Sequence, residues 1–526
     1  MVYLLSKKRG RDAALLADWR RRDPAMLAKL ALPHEAIEWL QHRLRGHIVL
    51  PGDPTYDASR KLFNPLYDPH PALIAYCVVE QDIRHCLEMV HTHKIPFRIR
   101  SGGHSTAGYS GGDGMIIDVG GLNDVHVDPD ALTVTTGCGT SFGKLNAVLE
   151  PYGLHLPTGE CEDVHVSGFM QGGGYGFTSR KFGIQCDHVL EVRVMLHDGR
   201  IVRATESHNH DLWWAVRGGT GGNFGVLLTI RYRLHRLGPV WGWAIAWPLK
   251  TAADRIQATE AMMALQKDFM RQGVPDDMTA QVQICNQSDW ADGSDRAPWL
   301  LIRGMYLGPA AEGEKLLKPL LATPGARLQF TRTGTFRELN TYLLSQPHEI
   351  PQLPPDGGMP KEDKQARFVA RDLTPTEWQE IFDFFVTSPN PWSYMCLELY
   401  GGAINAYPAE SSAFIHRNVA FSAFLDVFWY YETDKPAAEK FLTDWCTLMD
   451  RFSNGHIYQN YPSPDVPDYR SNYFGAAFPA LLAVKRKYDP HTTFTFEQAI
   501  KPRHGTPEEK PVWPPRVIAA LAEPIQ

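Results

Sequence analysis

Three clusters of glycine residues, each next to apolar residues, constrain the fold of this 526-residue chain more than any other feature. The first is Arg-Ser-Gly-Gly-His-Ser at 100–105, the second includes Gly-Gly-Gly-Tyr-Gly at 172–176, and the third is Arg-Gly-Gly-Thr-Gly-Gly-Asn-Phe-Gly at 217–225. Glycine lacks a Cβ atom, so the backbone turns tightly there and approaches a ligand closely. Consecutive N–H groups in such turns bind anions, and a dinucleotide pyrophosphate fits that requirement. Although one Gly-Gly-His turn is more often an ordinary turn, three clusters predict loops that converge on one extended dinucleotide.

The apolar runs around these clusters predict an α+β fold. Residues 71–79 and 96–100 are typical of strands, and residues 80–93 are typical of an intervening helix. Beyond residue 240, aromatic-rich strands alternate with helical segments. This second pattern indicates an antiparallel sheet with helices on one face.

Composition and charge exclude several classes of function. The net charge is −6 and there is no long basic block, so we expect no nucleic-acid partner, which would need clustered Lys and Arg. No apolar run reaches the roughly 18 residues that a membrane helix needs. The eight cysteines include no Cys-x-x-Cys pair, so we expect no metal site and a set of reduced thiols. The N-terminus has no signal-peptide pattern, and we expect a cytoplasmic protein.

The motifs occur in an order that resembles berberine-bridge-enzyme-like FAD oxidases of the vanillyl-alcohol-oxidase superfamily. The order is residues 100–105, Cys161, residues 172–176, residues 221–226 and Tyr-Gln-Asn-Tyr at 458–461. The resemblance extends from about residue 45 to about residue 500. It implies FAD joined covalently to His104 through the 8α-methyl group and to Cys161 through ring carbon 6.

The resemblance also implies a domain order and a set of cofactor contacts. We expect an N-terminal helical extension at 1–45, an FAD-binding domain at 46–236, a substrate-binding domain at 237–452, and a C-terminal part at 453–526 that returns to the FAD-binding domain. The expected cofactor-binding residues are His104, Cys161, Arg100, Ser101, Gly102, Gly103, Ser105, Gly108, Thr158, Val164, Gly168, Gly173, Gly174, Tyr175, Gly176, Gly225, Val226 and Asn460.

Oxidation of an alcohol requires a base for the hydroxyl proton and a cofactor that accepts the hydride. In carbohydrate-oxidising relatives the base is a tyrosine of the Tyr-x-Asn motif, assisted by a carboxylate, and these places are held here by Tyr458 and Glu398. A free tyrosine has a pKa near ~10, so the phenolate needs cationic or hydrogen-bonding neighbours. Glu398 is an alternative base, and the sequence leaves both open. The resemblance places Tyr175 against the flavin or the substrate.

The expected substrate is the anomeric hydroxyl of an oligosaccharide, which would be oxidised to a lactone. Gln281 and Gln283 share one face of a strand and suit sugar hydroxyls, and Tyr400 joins them as an expected substrate contact. The tryptophans after residue 240 offer flat faces to sugar rings, although core packing explains them equally well. Val164 holds a family position where a small residue favours molecular oxygen as acceptor, with hydrogen peroxide as product. The alternatives are an aromatic alcohol, alkaloid or polyketide as substrate, or a flavin-binding protein without turnover.

Overall fold

The computed structural model describes residues 33–270, 275–288, 296–345, 359–502 and 510–526. Most of the expected N-terminal extension, residues 1–32, lies outside the described residues. Among the helices in the described ranges, none combines the length and the apolar character needed to cross a membrane.

The first part of the described chain, residues 33–236, carries eleven strands and seven α-helices. The strands are β1 His47–Val49, β2 Leu73–Tyr76, β3 Phe97–Arg100, β4 Met115–Asp118, β5 Val125–Asp128, β6 Thr133–Gly137, β7 Leu154–His155, β8 Val189–Met195, β9 Ile201–Thr205, β10 Val226–Arg233 and β11 His235–Arg236. The helices are α1 His34–Arg43, α2 Tyr56–Arg60, α3 Glu80–His93, α4 Phe142–Leu149, α5 Val166–Gln171, α6 Ser179–Phe182 and α7 His210–Ala215.

The remainder of the described chain adds a second set of strands and helices. The strands are β12 Val240–Pro248, β13 Met278–Gln287, β14 Ala297–Tyr306, β15 Arg327–Gly334, β16 Lys361–Val369, β17 Tyr394–Leu399 and β18 Phe421–Trp429. The helices are α8 Ala252–Leu265, α9 Ala310–Leu321, α10 Phe336–Leu344, α11 Pro375–Phe385, α12 Gly402–Ala406, α13 Lys435–Asp450, α14 Phe478–Tyr488 and α15 Pro515–Leu521. Short 3₁₀ or π segments span Glu150–Tyr152, Gln185–His188, Gln266–Met270, Ala409–Ser411, Arg470–Phe474 and Gly475–Ala477.

Two larger sheets form the first part, beside the two-stranded antiparallel pair β7-β11. One has the order β1-β2-β4-β3, with β4 parallel to both β2 and β3, and the other has the antiparallel order β5-β6-β10-β8-β9. Helix α3 connects β2 to β3 and buries Ile83, Cys86 and Leu87 against the first sheet, as its apolar spacing predicts. Because β3 runs parallel to β4, its carboxyl end delivers the first glycine cluster to the edge of the sheet.

Seven antiparallel strands form the largest sheet, in the order β15-β12-β14-β13-β17-β18-β16. Side chains alternate between its two faces. On one face Val282, Ile284 and Leu397 pack in a core with residues of α8, α11 and α13. The expected α+β fold with an antiparallel sheet and helices is therefore confirmed.

Buried tryptophans contribute to this core instead of to a sugar-binding surface. Trp241, Trp243 and Trp247 of β12 are at most 2% exposed and pack with the helices. The sequence leaves open whether these tryptophans contact a sugar or pack in the core, because it does not show which side of the strand the helices cover. In the structure these three tryptophans pack in the core.

The C-terminal segment packs on the first part of the chain. Leu481 and Val484 of α14 lie in one hydrophobic cluster with Leu212 and Trp214 of α7. Residues 457–461 thereby lie between the glycine-rich loops and the large sheet, within reach of Gly174 on one side and Glu398 on the other.

Candidate functional site

A cleft of about 730 Å³ lies between the glycine-rich loops and the polar face of the large sheet. It brings together residues that are far apart in the sequence. The expected site residues in its lining are Ser101, Gly102, Gly103, His104, Ser105, Cys161, Val164, Gly168, Tyr175, Gly225, Gln281, Gln283, Glu398, Tyr458 and Asn460.

His104 lies on the loop that follows β3. Gly103 has φ +77°, a left-handed conformation that favours glycine, and its carbonyl accepts a hydrogen bond from the N–H of Phe63 at 3.1 Å. The ring of Phe63 stacks on the imidazole with the centroids 4.6 Å apart. The turn and the stacked ring together fix His104 in the wall of the cleft.

Cys161 lines the same cleft from a different loop, which packs against α4. Burial and then the neighbouring Glu160 carboxylate raise the pKa of its thiol to about 12, while Lys364 opposes this shift. The free thiol is therefore protonated at neutral pH, and its reactivity as a thiolate is low in the absence of another charge partner.

Four of the expected residues support the loops from behind the cleft. Arg100 is buried, where its Nε donates to Asp118 at 2.6 Å and its Nη1 to the carbonyl of Ser59 at 2.7 Å. Thr158 accepts a hydrogen bond from Asn146 at 3.2 Å. Gly108 turns with φ +69° beside Tyr67, and Val226 lies in the core of the first sheet.

The last four expected site residues lie around the second glycine cluster and are Gly173, Gly174, Gly176 and Tyr400. Gly173 and Gly174 have φ +116° and +99°, and Gly176 packs against the carbonyl of Thr158. Tyr400 is buried, and its ring stacks on that of Tyr175 at 5.3 Å. Tyr400 therefore positions Tyr175, and its side chain is not part of the cleft lining among the described residues.

The hydroxyl oxygen of Tyr458 accepts three hydrogen bonds. The donors are the N–H groups of Gly174 at 2.9 Å and Tyr175 at 3.2 Å and the side-chain amide of Asn460 at 3.0 Å. Burial and the charge of Glu398 raise the pKa of Tyr458, whereas these three donors lower it. Tyr458 thus fixes the Gly174–Tyr175 turn to the C-terminal segment.

Tyr461 lies in the cleft although no functional role is expected for it from the sequence. Its hydroxyl donates to Oε1 of Glu398 at 2.7 Å, whereas Tyr458 is occupied by the three donors described above. Burial raises the pKa of Glu398 to about 8; the Tyr461 hydrogen bond lowers it and the Glu160 charge raises it. The sequence feature that could have identified Tyr461 is its place as the second tyrosine of Tyr-Gln-Asn-Tyr, three residues after Tyr458.

A row of polar side chains crosses the sheet beside this pair. Arg303, Gln281 and Glu398 are paired across β14, β13 and β17. Arg303 donates from Nη2 to Glu160 at 2.9 Å and to the amide oxygen of Gln281 at 3.0 Å, and the Gln281 amide also contacts Glu160. Gln283 lies two residues along the same strand face. The row offers both donors and acceptors to a ligand with several hydroxyl groups.

The residues present fit an adenine dinucleotide with a flavin. Glycines of the first and third clusters line the cleft, where side chains would otherwise fill it, and the second cluster contributes Tyr175. Tyr109 and Ser110 also line it, and their hydroxyl oxygens are buried without a hydrogen-bond partner in the described part of the chain. Buried polar atoms normally have partners, so these two indicate a polar ligand.

Replacement of Tyr458 by Phe leaves two buried backbone N–H groups without an acceptor, each of which costs about 1–3 kcal/mol. We expect Y458F to lower the free energy of unfolding by roughly 2 kcal/mol or more in denaturant titrations. Y400F is the matched control, because the buried Tyr400 hydroxyl has no partner within the described ranges and its loss should change stability little. Equal stability losses in the two variants would contradict the role assigned to the Tyr458 oxygen.

Comparison with known proteins agrees with this geometry. An FAD binding domain matches residues 71–205, and a domain described as berberine and berberine like matches residues 457–501. The FAD-linked oxidoreductase pgmH of Aspergillus terreus is 34% identical over 502 residues, which cover 88% of this chain and 94% of that protein. A xylooligosaccharide oxidase of Thermothelomyces thermophilus is 26% identical over 511 residues, 91% of this chain and 97% of the relative.

The solved structures include the BBE-like 1 protein of Physcomitrella patens, which superposes with a TM-score of 0.78 at 24% identity. The match covers 89% of this chain and 99% of that one, and at this identity it shows the common fold. The pgmH match extends over the domains that carry the glycine loops, the large sheet and Tyr461. The chain therefore belongs to the berberine-bridge-enzyme-like family of FAD-linked oxidoreductases.

Proposed function

We propose that this oxidoreductase removes a hydride from a carbohydrate alcohol, most specifically the anomeric hydroxyl of an oligosaccharide, and so forms a lactone. One observation carries the proposal: a single cleft is lined by the Tyr461–Glu398 pair, by the polar row of the sheet, and by His104 and Cys161. Within the pair, the Tyr461 hydroxyl donates to Glu398 at 2.7 Å. When bound, FAD supplies the hydride acceptor.

The Tyr461–Glu398 pair acts as the base in this proposal. The hydroxyl proton of the substrate moves to the phenol oxygen of Tyr461, whose own proton is shared with Glu398 across their hydrogen bond. The second carboxylate oxygen of Glu398, Oε2, is buried and has no hydrogen-bond partner among the described residues. Tyr458 instead positions the loop, because the N–H groups of Gly174 and Tyr175 donate to its oxygen, whereas it is the Tyr461 hydroxyl that donates to the Glu398 carboxylate.

The polar row supports a substrate with several hydroxyl groups. Gln281, Gln283 and Arg303 present amide and guanidinium groups to the cleft, and Glu160 adds an acceptor. The relative named as a xylooligosaccharide oxidase supports the same choice of substrate class.

A second candidate is an aromatic alcohol or another aromatic secondary metabolite. A specific observation favours it: Trp392, Tyr394, Phe428 and Tyr430 line the part of the cleft beyond the polar row. Trp392 meets Tyr430 edge to face at 5.1 Å, and Tyr394 stacks on Phe428 at 6.0 Å. Such a wall accepts a planar ring as readily as a sugar.

The proposed electron acceptor of the complete cycle is molecular oxygen, with hydrogen peroxide as product. Val164 supports this part of the proposal because it lines the cleft and leaves the space that a longer side chain would occupy. His104 and Cys161 would hold the flavin covalently from two loops, so the rest of the cleft stays open to substrate.

Covalent attachment is tested by acid precipitation of the purified protein. We expect the wild-type pellet to remain yellow, the H104A and C161A pellets to retain flavin through one bond each, and the double variant to release it. The absorbance spectra of pellet and supernatant measure the flavin. Complete release from the wild type would rule out both proposed bonds.

The substrate class is tested by peroxide release from a panel of reducing oligosaccharides, monosaccharides and benzylic alcohols. We expect oligosaccharides to give the highest kcat/KM. Replacement of Gln281 by Leu should lower kcat/KM for sugars by about 10-fold or more, because Glu160 and Arg303 then each lose a hydrogen-bond partner in the polar row. Higher activity on benzylic alcohols, unchanged in Q281L, would favour the second candidate.

The pH dependence of kcat/KM tests the base. Burial raises the pKa of Glu398 to about 8, so the pair gains its negative charge as the pH rises through this value, and we expect activity to rise over the same interval. E398Q and Y461F should each lose about 100-fold or more in kcat/KM, since a positioned base contributes that much. An active Y461F together with an inactive, folded Y458F would instead assign the base to Tyr458.

A further inference from the structure

Lys364 is a buried cation in the wall of the cleft. It lies on β16, with its side chain 11% exposed. Its ammonium nitrogen is 3.0 Å from Oδ2 of Asp426 on β18 and 3.6 Å from Oε1 of Glu362 on its own strand. An ammonium group in such surroundings is retained only where opposite charges hold it.

The same ammonium group lies against the aromatic ring of the proposed base. Its nitrogen is 4.6 Å from the ring centroid of Tyr461 and 4.4 Å from that of Phe424. A cation at this distance is attracted by the negative face of the ring, and the attraction is stronger where water is excluded. A phenolate carries a full negative charge, so the ammonium stabilises it further.

We propose that Lys364 is a positioning residue that stabilises the negative charge shared by Tyr461 and Glu398 before they accept the substrate proton. This inference rests on the proposed function, because it concerns the same base. The proton balance is simple: in its active form, above the pKa of Glu398, the pair holds one negative charge, and it becomes neutral when it takes the hydroxyl proton of the substrate. FAD, when bound, would supply the acceptor for the hydride of the substrate carbon in the same oxidation.

The titratable groups around Tyr461 favour this role for Lys364. Glu398 and Cys396 on β17 and Tyr458 on its own segment each raise the pKa of Tyr461 further, after the effect of burial. Lys364 is the cation that lies on the Tyr461 ring among the described residues, and it lowers the pKa of Glu398. Asp426 and Glu362 anchor the ammonium group and also reduce its net effect.

A purely structural role for Lys364 makes a different prediction. In that case the ammonium would only join β16 to β18 through Asp426, and any neutral pair of similar volume would replace it. The double variant K364M/D426N separates the two roles. It removes the cation, and it also removes the charge of Asp426, which would otherwise be left buried without its partner. D426N alone is the matched control that breaks the same ion pair and keeps the cation over Tyr461.

The experiment measures kcat/KM against pH for the flavin-loaded wild type and for K364R, D426N and K364M/D426N, with the melting temperature and flavin spectrum of each. In K364M/D426N we expect kcat/KM to rise at a higher pH than in the wild type, by about one pH unit or more. A cation within about 4–6 Å lowers the pKa of an acid by this amount, and its removal reverses the effect. K364R and D426N should show no upward shift. An ultraviolet titration of tyrosinate, with Y461F as the reference, should show the ionisation of Tyr461 itself moving to higher pH in K364M/D426N, without turnover.

An unchanged pH profile in folded K364M/D426N would overturn the inference, as would an equal upward shift in D426N. If Y461F retains full activity, the proposed base itself fails, and this outcome is distinct from the failure of Lys364. Should K364M/D426N fail to fold, K364Q/D426N replaces it, because it also lacks both charges. The tyrosinate titration of K364R then shows the effect of a changed side-chain shape with the positive charge retained.

Discussion

The period-two alternation of side chains in the large sheet is the constraint on which the site depends. In β13 and β17 the apolar residues Val282, Ile284 and Leu397 pack on helices, and the intervening Gln281, Gln283 and Glu398 face the cleft. A shift of one residue in strand register would exchange the two faces. The apolar core thus holds the polar row in place, and the row in turn brings Glu398 to Tyr461.

Desolvation explains how this row becomes chemically active. The cleft wall buries Glu398, so its pKa rises to about 8 and its proton is exchangeable near neutral pH. The same burial would make a tyrosine an even weaker acid. The Lys364 ammonium on the ring of Tyr461 opposes that effect, whereas the Glu398 carboxylate adds to it.

Much of the fold and part of the site could be predicted from local sequence. The helix at Glu80–His93 follows from apolar spacing, and the glycine clusters lead to loops that do line one cleft with His104 and Cys161. The sequence left Tyr458 and Glu398 open as the base, and it could not indicate that Tyr461 is the tyrosine in contact with Glu398, because this contact depends on a turn. The N–H of Tyr461 donates to the carbonyl of Tyr458, and this reversal aims the two rings at different partners. Lys364 belongs to no motif, and only the pairing of β16 with β18 brings it to Asp426.

The hydrogen bonds to Tyr458 also bear on how the protein is made. The ribosome synthesises Gly174 and Tyr175 some 280 residues before the tyrosine oxygen that their N–H groups require. Until residues 457–461 emerge and pack, the second glycine loop lacks its acceptor and the cleft lacks Tyr461. A nascent chain that ends before this segment holds both His104 and Cys161 and still lacks the acceptor for its second glycine loop, so the cleft is completed only after residues 457–461 have been synthesised.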